Sequence, residues 1–149
     1  MSLDIIKYPN GILTRPAERV TDYSFAQSLS EKMLKKVKDL KAAGLAAPQV
    51  GYSLNLFVIT CGHFINSVWV NPMIVKRSSK IVYGAESCLS IDGAEFNVPR
   101  HSWIVVSGFS ADGVMKDLTL DGIEARIFQH ELDHLDGKLI NQYENIRRS

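Results

Sequence analysis

The chain has 149 residues, 46% of them hydrophobic, and a formal net charge of +1. This length suits a single domain, residues 1–149, that can bury roughly two-thirds of its unfolded surface. The near-neutral charge argues against a dedicated nucleic-acid binder. No apolar run approaches the ~20 residues of a membrane span. The first residues lack a signal-peptide core, and two cysteines suit a reducing cytosol better than a disulfide framework.

Residues 1–21 contain Pro9, Gly11 and Pro16 and read as an irregular arm. From Ser24 to Ala43 the pattern is helical, with Phe25, Leu29, Met33, Val37 and Leu40 at three- and four-residue spacing. Lys32, Lys35, Lys36, Lys38 and Lys41 decorate this helix. They read as a solvated face in preference to a ribosome-facing patch.

After Gly51 the grammar changes. Leu56–Thr60, Ser67–Val75, Lys80–Tyr83, Trp103–Phe109 and Val114–Leu120 are rich in Val, Ile, Thr and aromatics and predict strands. Ala111-Asp112-Gly113 marks a hairpin turn between the last two. The final predicted element is a helix beginning near Ile123. Asp121 is its expected N-cap, with Glu124 completing a capping box, and Gly137 suits its left-handed terminus. Two helices and several non-alternating strands predict an α+β fold, with antiparallel sheets surrounding a buried helix and a second helix near the N-terminus.

The second helix carries His130-Glu131-Leu132-Asp133-His134. Histidines four apart share a helix face and can reach one metal ion, and Glu131 stands beside them where a water would sit. Two incidental histidines in a core helix are the bland alternative. It is disfavoured because one short helix carries three of the side chains that a hydrolytic site needs. Three protein ligands leave an open, catalytic position. No histidine follows His134, so the third ligand lies upstream. His63, His101, Cys61 and Cys88 are the candidates. Cys61 ends an apolar strand and reads as a small buried hydrophobe. Cys88 lies in a polar, glycine-flanked segment and is the better candidate, since a nearby ion would favour its thiolate.

Glu86-Ser87-Cys88-Leu89-Ser90 resembles the E-G-C-L-S motif of peptide deformylases. Gln129-His130-Glu131-Leu132-Asp133-His134-Leu135-Asp136-Gly137 resembles their Q-H-E-x-D-H-L-x-G motif, and Gly44 to Gly51 (G-L-A-A-P-Q-V-G) is similar to their glycine-alanine-glutamine motif. The three occur in family order, followed by Val98-Pro99-Arg100 where the family has a similar run. The resemblance implies a metal-dependent hydrolase that releases formate from N-terminal formyl-methionine of nascent polypeptides.

It implies one divalent ion on Cys88, His130 and His134, with Fe2+ native and Zn2+, Ni2+ or Co2+ as substitutes. Glu131 would be the general base, and the Gln49 amide and Leu89 N–H the oxyanion donors. Ala43 and Gly44 would bind the peptide backbone. Ala43, Glu86, Ile123, Arg126 and Ile127 would surround the methionine. Arg100, Gln129 and Asp133 would brace the ligands, with Arg100 pairing Glu86.

The sequence departs from the pattern in three places. Ala42 and Ser87 replace glycines, which would restrict the backbone at 42 and narrow the site, or add a hydrogen bond, at 87. The chain also stops 15 residues after His134, so any ribosome contact is expected without a long C-terminal helix. A monomer in a bacterial cytosol is expected, either bacterial or virus-encoded; an organelle is disfavoured because no transit peptide is present. The alternative is a metalloendopeptidase or another amidase with a Cys-His-His site, which the missing downstream ligand disfavours. A purely structural metal module does not account for Glu131.

Overall fold

The computed structural model describes residues 3–62 and 66–147. His63, one of the candidate ligands, lies outside them. Helix α1 (Tyr23–Asp39) is followed by strands β1 (Gly44–Ala46), β2 (Leu56–Ile59), β3 (Ser67–Arg77), β4 (Ile81–Cys88), β5 (Ile91–His101), β6 (Trp103–Phe109) and β7 (Met115–Asp121), then helix α2 (Gly122–Leu135) and a short β8 (Glu144–Asn145). One sheet has the order β1-β2-β3-β6-β7 and the other β4-β5-β8. Every strand pairing within them is antiparallel.

Strand β2 shows why the sheets and helices stack as they do. All four of its residues are fully buried, and side chains of a strand alternate between faces. Leu56 and Val58 enter a core with Ala26, Leu29, Met33 and Val37 of α1. Phe57 and Ile59 enter a second core with Ala125, Phe128 and Leu135 of α2. The five-stranded sheet therefore lies between the two helices. Phe128 meets Phe57 and Trp69 edge-on, at centroid separations of 5.0 and 5.1 Å, a geometry that aromatic quadrupoles favour. The opposite side of α2 meets the three-stranded sheet. There the Gln129 amide clamps the end of β5, accepting from His101 N–H at 2.9 Å and donating to His101 O at 3.0 Å.

Several boundaries differ from the sequence expectation. Helix α1 stops at Asp39, four residues short of Ala43. Lys41 takes a left-handed conformation (φ 55°), and Ala42 N–H bonds Val37 O at 2.9 Å while Lys41 N–H bonds Lys38 O at 3.0 Å. These two bonds close the helix as a Schellman motif. Ala42 is not the strained residue: the positive φ falls on Lys41, so the β-carbon at 42 restricts nothing.

The capping box at α2 does not form. Asp121 makes no side-chain cap bond; it is the last residue of β7, paired opposite Trp103. The chain enters the helix through Gly122 at φ 54° instead. Gly137 takes the expected left-handed position, φ 74°.

Gly93, Asn97 and Pro99, which are poor strand formers, mask β5 in the sequence. The strand forms because β4 pairs along its whole length. β8 pairs only Phe96 and Asn97, so the sheet has no second neighbour at Pro99, where a residue without an N–H is tolerated.

Candidate active site

α2 projects His130 and His134 towards the bulged end of β4, where Cys88 sits opposite Ile91. Cys88 Sγ lies 3.4 Å from His134 Nε2, which is 3.2 Å from His130 Nε2. The three donor atoms all lie within 4.8 Å of one another. Thiolate and imidazole ligands at ordinary zinc distances and tetrahedral angles would stand about 3.3–3.6 Å apart. The observed separations fit a single ion. Two imidazole nitrogens and a sulfur converging on one point is also the donor set that suits a divalent transition metal. Cys61, by contrast, packs at the edge of the α2 core, and His101 is turned away, its Nδ1 2.8 Å from Ser78 O.

The histidines are held from behind. His130 Nδ1 lies 2.7 Å from Glu86 Oε1, which leaves Nε2 facing the other donors. Glu86 is buried and ringed by cations: Arg100 donates from Nη2 to Oε1 at 2.8 Å and from Nε to Oε2 at 2.9 Å, and Arg126 donates from Nη1 to Oε2 at 2.6 Å. Arg100 reaches on to Asp133 at 2.5 Å. Burial alone would raise the Glu86 carboxyl. The Arg100 and His130 hydrogen bonds and charges outweigh it and hold the group at about 2.

Burial would likewise lower His130, but its hydrogen bonds to Cys88 and Glu86 push it up to about 10. Burial, with the charges of His130 and Arg100, drives His134 well below the imidazole range. Burial raises Glu131 to about 7, against the pull of His130. Glu131 Oε1 and His134 Nδ1 are buried without a hydrogen-bond partner among the described residues. A carboxylate of this kind, poised near neutrality beside three convergent ligand atoms, is suited to taking and returning a proton.

β1 forms the other wall of the site. Thr60 N–H donates to Ala43 O at 2.8 Å, making this a hydrogen-bonded position of the antiparallel ladder. Alternation then turns the N–H and C=O of Gly44 away from β2, to the open edge of the sheet. The Ala43 carbonyl is engaged within the fold, which leaves the exposed backbone groups of this wall to Gly44. Gly44 also backs directly on Glu131: a β-carbon there would fall 2.7 Å from Glu131 Oε2.

Gln49 is buried in the turn after β1. Its Oε1 accepts from Ala46 N–H at 3.0 Å, while Nε2 donates to Ser90 Oγ at 3.1 Å and lies 3.6 Å from Cys88 Sγ. One amide hydrogen is thus anchored and the other is directed at the centre.

The centre opens into a cleft of about 550 Å³, lined by Ala43, Gly44, Glu86, Ile123, Arg126 and Ile127 among others. Ile123 stands at its mouth, 59% exposed. Ser87 is an exposed residue of the rim, and its side chain makes no hydrogen bond among the described residues, contrary to one expectation for it.

Sequence reasoning missed three supports. Arg126 contributes its guanidinium as well as its stem, and Gly84 makes room for it, since a β-carbon at 84 would lie 2.9 Å from Arg126 Cζ. Ser90, inside the cysteine motif, orients Gln49. The N-terminal arm stitches the two loops together: Ile6 N–H bonds Gln49 O at 2.7 Å, Tyr8 N–H bonds Ser90 O at 2.9 Å, and Lys7 Nζ bonds Leu89 O at 2.8 Å. Nothing local in the sequence marks the arm, because its partners lie more than 40 residues away.

An open Cys-His-His centre on a helix enclosed by antiparallel sheets, with a buried carboxylate at its side, defines a metal-dependent hydrolase. The sequence profile of the polypeptide deformylase family matches residues 2–148. Peptide deformylase 1 of Bacillus anthracis is 37% identical over 145 residues, spanning 92% of this chain and 88% of that protein. The crystal structure of the Thermotoga maritima peptide deformylase superimposes with a TM-score of 0.92 at 30% identity, over 96% of this chain and 97% of the other. That of the Thermus thermophilus enzyme gives 0.88 at 41% identity, over 93% and 83%. The chain belongs to the peptide deformylase family, hydrolases that remove the N-formyl group from nascent peptides.

Proposed function

We propose the following division of labour for deformylation of formyl-methionine by this chain. Cys88, His130 and His134 hold one divalent ion, ferrous iron in the native enzyme and zinc, nickel or cobalt as substitutes. The convergence of their three donor atoms is the observation that carries this reading. Such an ion, when bound, acidifies a water and polarises a carbonyl oxygen.

Glu131 takes the proton of the attacking water and returns it to the departing amine, so formyl amide plus water yields formate and a free N-terminus. The Gln49 N–H that points towards Cys88 Sγ and the Leu89 N–H donate to the oxyanion of the tetrahedral intermediate. Fixing the Gln49 oxygen on Ala46 N–H means the amide does not reorient as charge develops. The peptide runs as an extended strand along the open edge of β1, bonded by the N–H and C=O of Gly44 and flanked by Ala43. Ile123, Ile127, Ala43 and the aliphatic parts of Glu86 and Arg126 receive the methionine. Arg100, Gln129 and Asp133 act behind the ligands: Asp133 anchors Arg100, Arg100 fixes Glu86, and Gln129 ties α2 to β5.

No helix among the described residues is long and apolar enough to cross a membrane. We place the enzyme in a bacterial cytosol, bacterial or virus-encoded, as a monomer acting on nascent chains at the ribosome.

Glu131→Gln tests the central role. It preserves size and leaves the three ligands untouched, so metal content should stay near wild type. Formate release should fall by at least about a hundredfold, the lower range of general acid–base assistance. Near-wild-type turnover in metal-replete Glu131→Gln protein would show that another group handles the proton.

A further inference from the structure

The charges lining the cleft sort into pairs with two cations left over. Glu86 is committed to Arg100, Arg126 and His130. Lys7 and Asp92 pair at 2.7 Å. Glu131 lies at the deep end beside the ligands. Lys41 and Arg147 also line the cleft, and neither makes an ion pair or side-chain hydrogen bond among the described residues.

They approach from different walls. Lys41 occupies the left-handed turn that ends α1, three residues before Gly44, hence within ~11 Å of it along the chain. Arg147 follows β8, whose docking on β5 continues through the Ile146 N–H bond to Glu95 O at 2.8 Å. Its own N–H bonds Asn145 Oδ1 at 3.0 Å. Neighbouring charges do not cancel the pair. Asp39 is bound to Lys35 at 3.0 Å, and Glu95 and Glu144, on the strands that carry Arg147, are not among the residues lining the cleft.

A peptide laid along the β1 edge with its formyl group at the centre directs its following residues outward, to the rim. We propose that Lys41 and Arg147 make the enzyme charge-selective, favouring formyl-Met peptides with Asp or Glu at the second and third residues over those with Lys or Arg. This rests on the reading that the peptide runs along Gly44. Each cation is exposed, so its effect is that of a surface pair, a factor of roughly 1.5–5. Acting together on a change from Glu to Lys they should give roughly three- to tenfold at low ionic strength, and half-molar salt should screen most of it.

The experiment compares kcat/KM for formyl-Met-Glu-Glu, formyl-Met-Gln-Gln and formyl-Met-Lys-Lys on the metal-loaded enzyme, in about 20 mM and about 500 mM NaCl, on either side of the range where surface charges are screened. The order should be acidic, neutral, basic, converging in high salt. K41Q/R147Q should bring the acidic-to-basic ratio near one, and K41E/R147E should invert it. Ratios within one variant cancel any difference in active fraction. Equal rates in the wild type, or a preference that survives charge reversal, would overturn the proposal while leaving the deformylase assignment intact. Failure to hydrolyse any of the three peptides, the neutral one included, would overturn both.

Discussion

Gly44→Ala isolates the position of one carboxylate from the metal centre. The added methyl would lie 2.7 Å from Glu131 Oε2 and 3.1 Å from its Cδ and Cγ, whereas ordinary contact begins at 3.4 Å. Glu131 must therefore retreat by about 0.7 Å, the difference between 3.4 and 2.7 Å. Gly44 does not sit at a positive φ, so the backbone itself tolerates alanine. The ligands Cys88, His130 and His134 lie outside the contact, and metal content should be unchanged.

A misplacement of about 1 Å can cost on the order of a hundredfold in rate, so this smaller shift should lower kcat by roughly ten- to a hundredfold. Formate release under saturating formyl-Met-Ala-Ser measures it, with elemental analysis of the same sample. The double mutant with Glu131→Gln tests the route. If the methyl acts by moving Glu131, it should cost little once that carboxylate has been replaced, and the two effects should be strongly non-additive. A kcat within about twofold of wild type, or full additivity with Glu131→Gln, would refute this account of Gly44.

Cys88→Ala should reduce metal occupancy and abolish formate release, measured by elemental analysis after anaerobic preparation; full occupancy with activity would remove Cys88 from the ligand set. In a formyl-X-Ala-Ser series, methionine should exceed glycine in kcat/KM by at least about tenfold, the gain expected from filling an apolar pocket, and equal rates would rule the pocket out. Lys116 lies over the Trp69 ring at 4.1 Å, and burial holds it down to about 8 from 10.5. Between those values the unfolded chain binds more protons, so stability should rise with pH across that window. Urea unfolding from about pH 7.5 to about pH 10 should show that rise in the wild type and a flatter profile in Lys116→Met; identical slopes would count against a depressed Lys116.

The ligand helix was legible in the sequence because its information is local. His130, Glu131 and His134 are placed by helical periodicity alone, and the strands at Trp103–Phe109 and Ser67 onward announce themselves by composition. Cys88 stood out among the upstream candidates by its polar, glycine-flanked segment, and resemblance then singled it out as the ligand; Gln49 could be tied to that helix only through family resemblance, since nothing in its own segment reports what it faces. Tertiary structure decided the rest. α1 ends early because Lys41 turns left-handed to feed β1. Asp121 closes β7 opposite Trp103 and makes no cap bond to α2. β5 exists because β4 pairs with it despite Gly93 and Pro99. The ring of Arg100, Arg126 and His130 around Glu86, the stitching of two loops by residues 6–8, and the close approach of Glu131 to Gly44 join residues far apart in the chain. Local sequence sets helical and strand preferences and supplies donor atoms. Only packing determines which donors converge, which charges find partners, and which, like Lys41 and Arg147, are left facing the cleft.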